Sequence, residues 1–377
     1  MSAASGLIPG LTFVLAAGGT GGHLFPAEAL ASVLIGRGYR VALITDPRGT
    51  GFGERMTAVE LHRISAGGVA GGSLVRRAQS VVQLGVGFFQ ARSLIAQLKP
   101  AVAVGFGGYA SVPTILAASF AGVPTVLHEQ NAILGRANRL LARRATRIAA
   151  SFPGAIAEAD CVIVTGNPVR PAIAALAIAP YATPEASGKF NLLVTGGSQG
   201  ARAFGRLLPE AIALLPEDKR RSLALVQQCR AEDLERVKAT YASLNVAAEL
   251  APFFTDIPQR LRDCHLVVAR SGASTVAELA AAGRPALLIP YPHATDDHQT
   301  ANAQVIAKAG GAWLLPEAAL TPALLAKYLQ DLMDKPADLA TAAAAARGCG
   351  RVDAAERLAD LVSALAPGNG MKQEAAA

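Results

Sequence analysis

Three stretches combine small residues with a position suited to anion chemistry: GGTGGH at 18–23, GGSQGAR at 196–202 and RSGASTVAE at 270–278. Each follows an apolar run and leads into a helical pattern. In an open parallel sheet this places them at the carboxyl ends of strands, where glycine lets the backbone approach a ligand and a helix N-terminus offers free N–H groups to an anion. Together they predict a phosphate-bearing ligand shared by two domains. His23 ends the first loop, at the start of its helix, with the chemistry of a general base for a hydroxyl; the alternative is a ring hydrogen-bonded for structure. Glu278 is the acid in the opening turns of the third segment. It is placed to accept hydrogen bonds from ribose hydroxyls or, alternatively, to complement the helix macrodipole.

Two further polar runs emerge from apolar strands. HATDDHQTANA at 293–303 gathers Asp296, Asp297, His298, Gln299 and Asn302 behind Pro290, and LHEQNAILGRANR at 127–139 carries Glu129 and Asn131. Polar density at a strand end needs partners or solvent; a helix N-terminus capped by Asn131 is the competing explanation for the second run. His293, Asp296, Asp297 and His298 lack the fixed spacing of known metal motifs, so no metal is expected. Gly19, Gly21 and Gly22 with Asp46 give part of a dinucleotide fingerprint, but Phe25 and Pro26 follow the loop and the third glycine is missing.

The elements that must position these residues repeat. LTFVLAA (11–17), the first loop, an Ala/Leu-rich helix and YRVALIT (39–45) make a βαβ unit, and NLLVTGG (191–197) begins a second. Strands near LALVQQ (223–228), HLVVAR (265–270) and PALLIP (285–290) alternate with helical patterns, the mark of parallel sheets covered by helices. GNPVRP (166–171) and the Ala/Pro-rich run to Gly188 read as a linker, which sets the expected boundaries: residues 1–170, 171–350, and a tail of 351–377. That tail reads as one amphipathic helix to about Leu365, packing back on the N-terminal domain, then a polar, disordered end.

A chain of 377 residues suits two domains, and its Lys and Arg exceed its Asp and Glu by 35 − 28 = 7, which favours anionic partners. Cys161, Cys229, Cys264 and Cys349 are scattered without a CxxC pair, and no Lys or Arg precedes Arg37, so a reducing compartment and no secretory signal are expected. Ala101–Leu127 is uncharged and long enough to span a bilayer, yet its glycines and prolines divide it into strand, loop, helix and strand. Ser73–Leu94 mixes Leu74, Val75, Leu84, Val86, Phe88 and Phe89 with Arg76, Arg77 and Arg92. That mixture fits an anionic bilayer surface, or equally a core helix with solvated arginines.

In this order, GGTGGHLFPA, GFGGYAS (105–111), HEQN (128–131), GNPVR (166–170), GGSQGAR, RSGASTVAELAAAGRPALLIP and DDHQTANA resemble the motif set of the MurG family over nearly the whole chain. The resemblance implies the glycosyltransferase B fold: α/β, two Rossmann-like doubly wound domains with parallel sheets and a cleft between them. It also implies inverting transfer of N-acetylglucosamine from its UDP donor to a lipid-linked muramyl-pentapeptide, with no cofactor, at the cytoplasmic face of the membrane. By the same resemblance the donor meets Thr20, Gly21, Gly22, Asn131, Arg170, Ser198, Phe254, Ala273, Ser274, Thr275, Val276, Ala277, Glu278 and Gln299. His23 becomes the leading candidate base, with Tyr109 and Glu129 on the acceptor side. The implied partners are UDP-N-acetylglucosamine, the lipid-linked acceptor and an anionic membrane surface, not nucleic acid. A sugar-nucleotide epimerase of similar two-domain build is the main rival reading.

Overall fold

The computed structural model describes residues 10–18, 21–47, 56–67, 74–156, 159–185, 188–197 and 202–367. The expected donor contacts Thr20 and Ser198, and the polar end after 367, lie outside these residues, as do the side chains of 74–78 and hence Arg76 and Arg77. The chain divides into two compact units: Met1–Arg170 with Asp353–Ala377, and Pro171–Val352.

The first unit is a parallel sheet of seven strands: β1 (Thr12–Ala17), β2 (Arg40–Thr45), β3 (Glu60–Arg63), β4 (Val102–Gly105), β5 (Thr125–Glu129), β6 (Arg147–Ala150) and β7 (Val162–Val164). Their order is β3-β2-β1-β4-β5-β6-β7, so the chain reverses direction of growth between β1 and β4. Both faces of β1 are covered, which is why TFVLAA is unbroken apolar sequence rather than alternating. Phe13, Leu15 and Ala17 join one core face with Leu30 and Leu34, while Val14 joins the other with Ile44, Ile115 and Leu127. The helix Ala354–Ala364 completes the first face: Leu358, Ala359 and Val362 enter that core, and Arg37 pairs with Glu356 and, at 2.7 Å, with Asp360. The uncharged stretch 101–127 resolves into β4, a loop, the helix Ser111–Phe120 and β5. No helix among the described residues is long and apolar enough to cross a membrane.

The second unit is a parallel sheet of six strands: β8 (Phe190–Thr195), β9 (Leu223–Gln228), β10 (Ala247–Ala251), β11 (Leu266–Ala269), β12 (Ala286–Leu288) and β13 (Ala312–Leu314). Its order, β10-β9-β8-β11-β12-β13, again reverses after the first strand. Leu192 and Val194 of β8 pack with Phe204, Leu208 and Ile212 of the helix Phe204–Ala213 and with Leu325 and Leu329 of the helix Pro322–Asp334. Both units therefore have their ligand-competent crevice, by topology, outside the carboxyl ends of the first strand and its later neighbour.

Candidate active site

In the first unit the loops after β1 and β4 touch through glycine. Gly18 N donates to Gly107 O at 3.2 Å, and a Cβ on Gly108 would stand 2.9 Å from Gly18 Cα. Gly107 and Gly108 also hold φ of 85° and 76°, a left-handed backbone that glycine adopts without strain. Ser111 Oγ lies 2.7 Å from both Ala16 O and Gly107 O, so its single hydrogen braces the end of β1 against the loop after β4.

His23 sits in the first turn of the helix Gly21–Gly36, its ring packed against this glycine pair: a Cβ on Gly107 would lie 3.1 Å from its Cε1 and 3.3 Å from its Nδ1. Its Nδ1 is enclosed and meets no partner at full hydrogen-bond geometry. Burial lowers the His23 pKa, against the raising influence of Glu129, the Gln130 side chain, the Phe106 carbonyl and Asp46. The positive end of the helix dipole acts in the same direction as burial. The ring is therefore held towards its neutral form, the form a general base needs.

Behind it, His128 is fully buried and its pKa is lowered to about 4, chiefly by burial. Its Nε2 lies 3.2 Å from Gly166 O, and Gln130 Nε2 lies 3.0 Å from its Nδ1 and 2.8 Å from Phe106 O. Glu129 is also buried, with both carboxylate oxygens engaged in its own loop. Oε1 accepts from Asn131 N at 3.0 Å and Asn131 Nδ2 at 3.2 Å; Oε2 accepts from Gly135 N at 2.8 Å and Asn138 Nδ2 at 2.9 Å. Asn131 thus ties to Glu129 rather than capping a helix: the next helix, Arg136–Leu141, has Gly135 at its N-cap and no side-chain cap. Tyr109 is half-buried in the loop after β4, and Arg170 places its guanidinium 5.5 Å from the centre of the Phe25 ring. Gly21 and Gly22 open the helix that carries His23.

The second unit ends its strands differently. The helix Ala273–Ala282 starts from Gly272 in extended backbone, with no side-chain cap and no acid in its first turn. Its first i→i−4 bond is Val276 N to Gly272 O, so the N–H groups of Ala273, Ser274 and Thr275 precede it. Ala273 and Val276 are buried, so what they offer a ligand is backbone; Ser274, Thr275, Ala277 and Glu278 are partly exposed, and Ser274 Oγ is enclosed without a partner. Glu278 falls in the second helical turn, where the macrodipole is weak, so the structural explanation for this acid loses force.

Around this helix the loops are stapled. Gln228 accepts from Gly196 N at 3.0 Å and donates to Gly197 O and Pro252 O at 3.0 and 3.1 Å. Gln299 Oε1 accepts from Tyr291 N at 2.9 Å, and its carbonyl accepts from Ser271 Oγ at 2.8 Å, so what its side chain can offer a ligand is the NH₂. Asp296 and Asp297 just before it hold φ of 54° and 52°, a costly conformation for non-glycine residues. Phe254 is 6 % exposed with the Arg260 guanidinium 4.1 Å over one face, while its neighbour Phe253 is exposed.

His128, Gln130, Asn138, Ser111 and Gln228 stand in the sequence only as letters of longer runs, without a role of their own. The signal for the first two was available: three successive polar residues ending an apolar strand cannot be buried without dedicated partners.

Models of glycosyltransferase family 28 match the chain twice, the N-terminal domain over residues 13–150 and the C-terminal domain over residues 191–358. Two Rossmann-like units with anion-ready strand ends of this kind define the B fold of nucleotide-sugar glycosyltransferases. The chain belongs to the MurG family within that class. It is 55% identical over 363 residues, 95% of each chain, to the UDP-N-acetylglucosamine--N-acetylmuramyl-(pentapeptide) pyrophosphoryl-undecaprenol N-acetylglucosamine transferase of Rhodospirillum centenum. The crystal structure of MurG from Acinetobacter baumannii matches with a TM-score of 0.77 at 31% identity, covering 93% of this chain and 99% of that one. A Listeria monocytogenes protein assigned provisionally as a UDP-N-acetylglucosamine 2-epimerase matches with a TM-score of 0.66 at 16% identity, over 94% of this chain and 96% of that one, a likeness of fold alone.

Proposed function

We propose that this chain transfers N-acetylglucosamine from UDP-N-acetylglucosamine to the C4 hydroxyl of the muramyl sugar in undecaprenyl-pyrophosphoryl-MurNAc-pentapeptide. The observation that carries this reading is the 55% identity, over 95% of both chains, to a relative named for that transfer. The site chemistry agrees with it. The acceptor O4 attacks the anomeric carbon from the face opposite the nucleotide, its proton passes to His23 Nε2, and the bond from the anomeric carbon to phosphate oxygen breaks with its electron pair leaving on UDP. Inversion follows from the single displacement. The N–H groups of Ala273, Ser274 and Thr275 stabilise the charge gathering on the leaving diphosphate, as a helix N-terminus does for any phosphate. Glu278 accepts from the ribose hydroxyls, the side-chain NH₂ of Gln299 donates to the sugar, and Phe254 borders the uracil. Thr20, Gly21, Gly22, Asn131, Arg170 and Ser198 complete the donor contacts, with Tyr109 and the Glu129 loop on the acceptor side.

The lipid-linked acceptor brings the enzyme to the cytoplasmic face of an anionic membrane as a peripheral protein. What supports this is the exposed face of the helix Leu74–Leu98, where Val82, Val86 and Phe89 follow one another at helical spacing. Phe88 links this face to Phe120, ring centres 5.9 Å apart, and Phe120 is 58 % exposed beneath the Arg144 guanidinium. Exposed apolar side chains next to arginine match an acyl boundary with anionic headgroups.

The test is release of UDP from UDP-N-acetylglucosamine by purified protein in detergent or vesicles, with and without the lipid-linked muramyl-pentapeptide. Acceptor-dependent release with the sugar recovered on the lipid is expected. Conversion of the donor to UDP-N-acetylmannosamine without acceptor would instead establish an epimerase.

A further inference from the structure

The groups behind His23 form a chain of fixed polarity. Gly166 O can only accept, so the hydrogen 3.2 Å away belongs to His128 Nε2, and in the neutral ring His128 Nδ1 is then an acceptor. Gln130 spans from there to Phe106 O, also an acceptor, at 3.0 and 2.8 Å. Both partners demand hydrogens, so the end of the Gln130 amide facing them must be the NH₂, and the orientation of the amide is set by the network rather than by choice. Its carbonyl Oε1 is left pointing away from His128. It stands 3.8 Å from the point where a Gly107 Cβ would lie, and His23 Nδ1 is 3.3 Å from the same point.

We propose that Gln130 is a positioning residue for His23: its Oε1, fixed by Phe106 O and His128 Nδ1, accepts from His23 Nδ1–H and so keeps Nε2 bare to receive the acceptor's proton. This rests on the reading of His23 as the base. Nδ1 is enclosed, and the groups that bear on the ring as hydrogen-bond partners are the Gln130 side chain and the Phe106 carbonyl, of which Phe106 O already receives Gln130 Nε2. Glu129 cannot take that role, because its two oxygens already receive Asn131 N and Nδ2, Gly135 N and Asn138 Nδ2; it reaches His23 only through its field, as does Asp46 from the end of β2. The remaining titratable neighbour, His128, is itself held neutral by burial, and a charged His23 lowers its pKa further. A neutral amide in the place often held by a carboxylate has a distinct consequence. It selects the tautomer while placing no negative charge against the ring, so burial still holds the base neutral where an imidazolium would idle.

The test uses the full-length protein labelled with ¹⁵N-histidine in detergent, with His23 assigned by comparison with His23→Gln. At neutral pH His23 should be the Nδ1–H tautomer, and finding Nε2–H in the wild-type protein overturns the proposal without any variant. Gln130→Leu should lower kcat about 10- to 100-fold, the scale of misplacing one proton-transfer group, with UDP affinity unchanged and the tautomer mixed. Gln130→Glu keeps the shape and adds a charge; it should move the acid limb of the kcat/KM profile to higher pH, because a carboxylate favours the protonated ring. A folded Gln130→Leu or Gln130→Glu protein with wild-type tautomer and pH profile also overturns it. If His23→Gln abolishes turnover while both Gln130 variants behave as wild type, the base stands and only the positioning role falls. If His23→Gln retains turnover, it is the base that falls.

Discussion

At the carboxyl ends of β1, β4 and β5 the first unit encloses its polar groups. His128, Gln130 and Glu129 are tied to one another, to backbone or to their own loop, His23 packs in front of them, and both histidines are held towards neutrality by burial. At the corresponding ends of β8, β11 and β12 the second unit does the opposite. It gathers small side chains and an uncapped helix end, with the unpartnered Ser274 hydroxyl enclosed beside them, and spends its side-chain hydrogen bonds, such as those of Gln228 and Gln299, on holding loops. One strand order therefore serves two ends. A desolvated, pre-wired strand end suits the handling of a proton, whereas an end of backbone donors suits an anion.

Four measurements bear on this contrast. The largest effect belongs to the proton side: His23→Gln should lower kcat about 10²- to 10⁴-fold, the usual worth of a general base, while UDP affinity in calorimetry is unchanged. Unchanged turnover would move the base elsewhere. Next, acid should loosen the first unit through its buried histidines. His128 has a folded pKa of about 4 against an ordinary 6.5, so the unfolded chain binds the proton first; stability is intact above 6.5 and lost as pH falls towards 4. The full loss corresponds to about 3 kcal/mol. Urea unfolding between pH 7.5 and 4.5 reads it, and a slope that His128→Gln leaves untouched would refute the assignment.

On the anion side, Glu278→Ala should weaken UDP binding about 10- to 100-fold, the scale of a hydrogen bond to a charged group, and leave the acid limb of the kcat/KM profile where it was. A shift of that limb would show the two strand ends to be coupled. The smallest effect is expected at the membrane face. Phe89→Ser removes an exposed ring and should reduce partitioning onto anionic vesicles by about 1 to 2 kcal/mol, with turnover on a detergent-solubilised acceptor preserved.

The fold was legible because the two central strands, β1 and β8, announce themselves: TFVLAA and FNLLVT are apolar runs that run straight into glycine. Edge strands such as β3 (ELHR), β7 (VIV) and β10 (AAELA) were not legible, since they are short and partly exposed and carry no sustained apolar pattern. The loops that gather at the strand ends could be read one at a time, but not their pairing. That Gly107 backs His23, or that Gly166 holds His128, depends on β4 lying beside β1 and β7 beyond β6, which sequence spacing does not encode. Glu129 carries a related lesson. The family resemblance implies an acceptor-side role for it, and only the four donors around it reveal how fully its loop consumes it.

The first unit is assembled from both sides of the second, and this imposes an order of events on synthesis. Pro171–Val352 is contiguous and leaves the ribosome with its whole core in hand. The earlier-made unit must wait, with Leu30 and Leu34 lacking their cover, until Leu358, Ala359 and Val362 arrive from the last helix. The later segment can thus finish folding before the earlier one does, and a nascent chain stalled before Ala354 presents a greasy sheet flank to the chaperones that meet it.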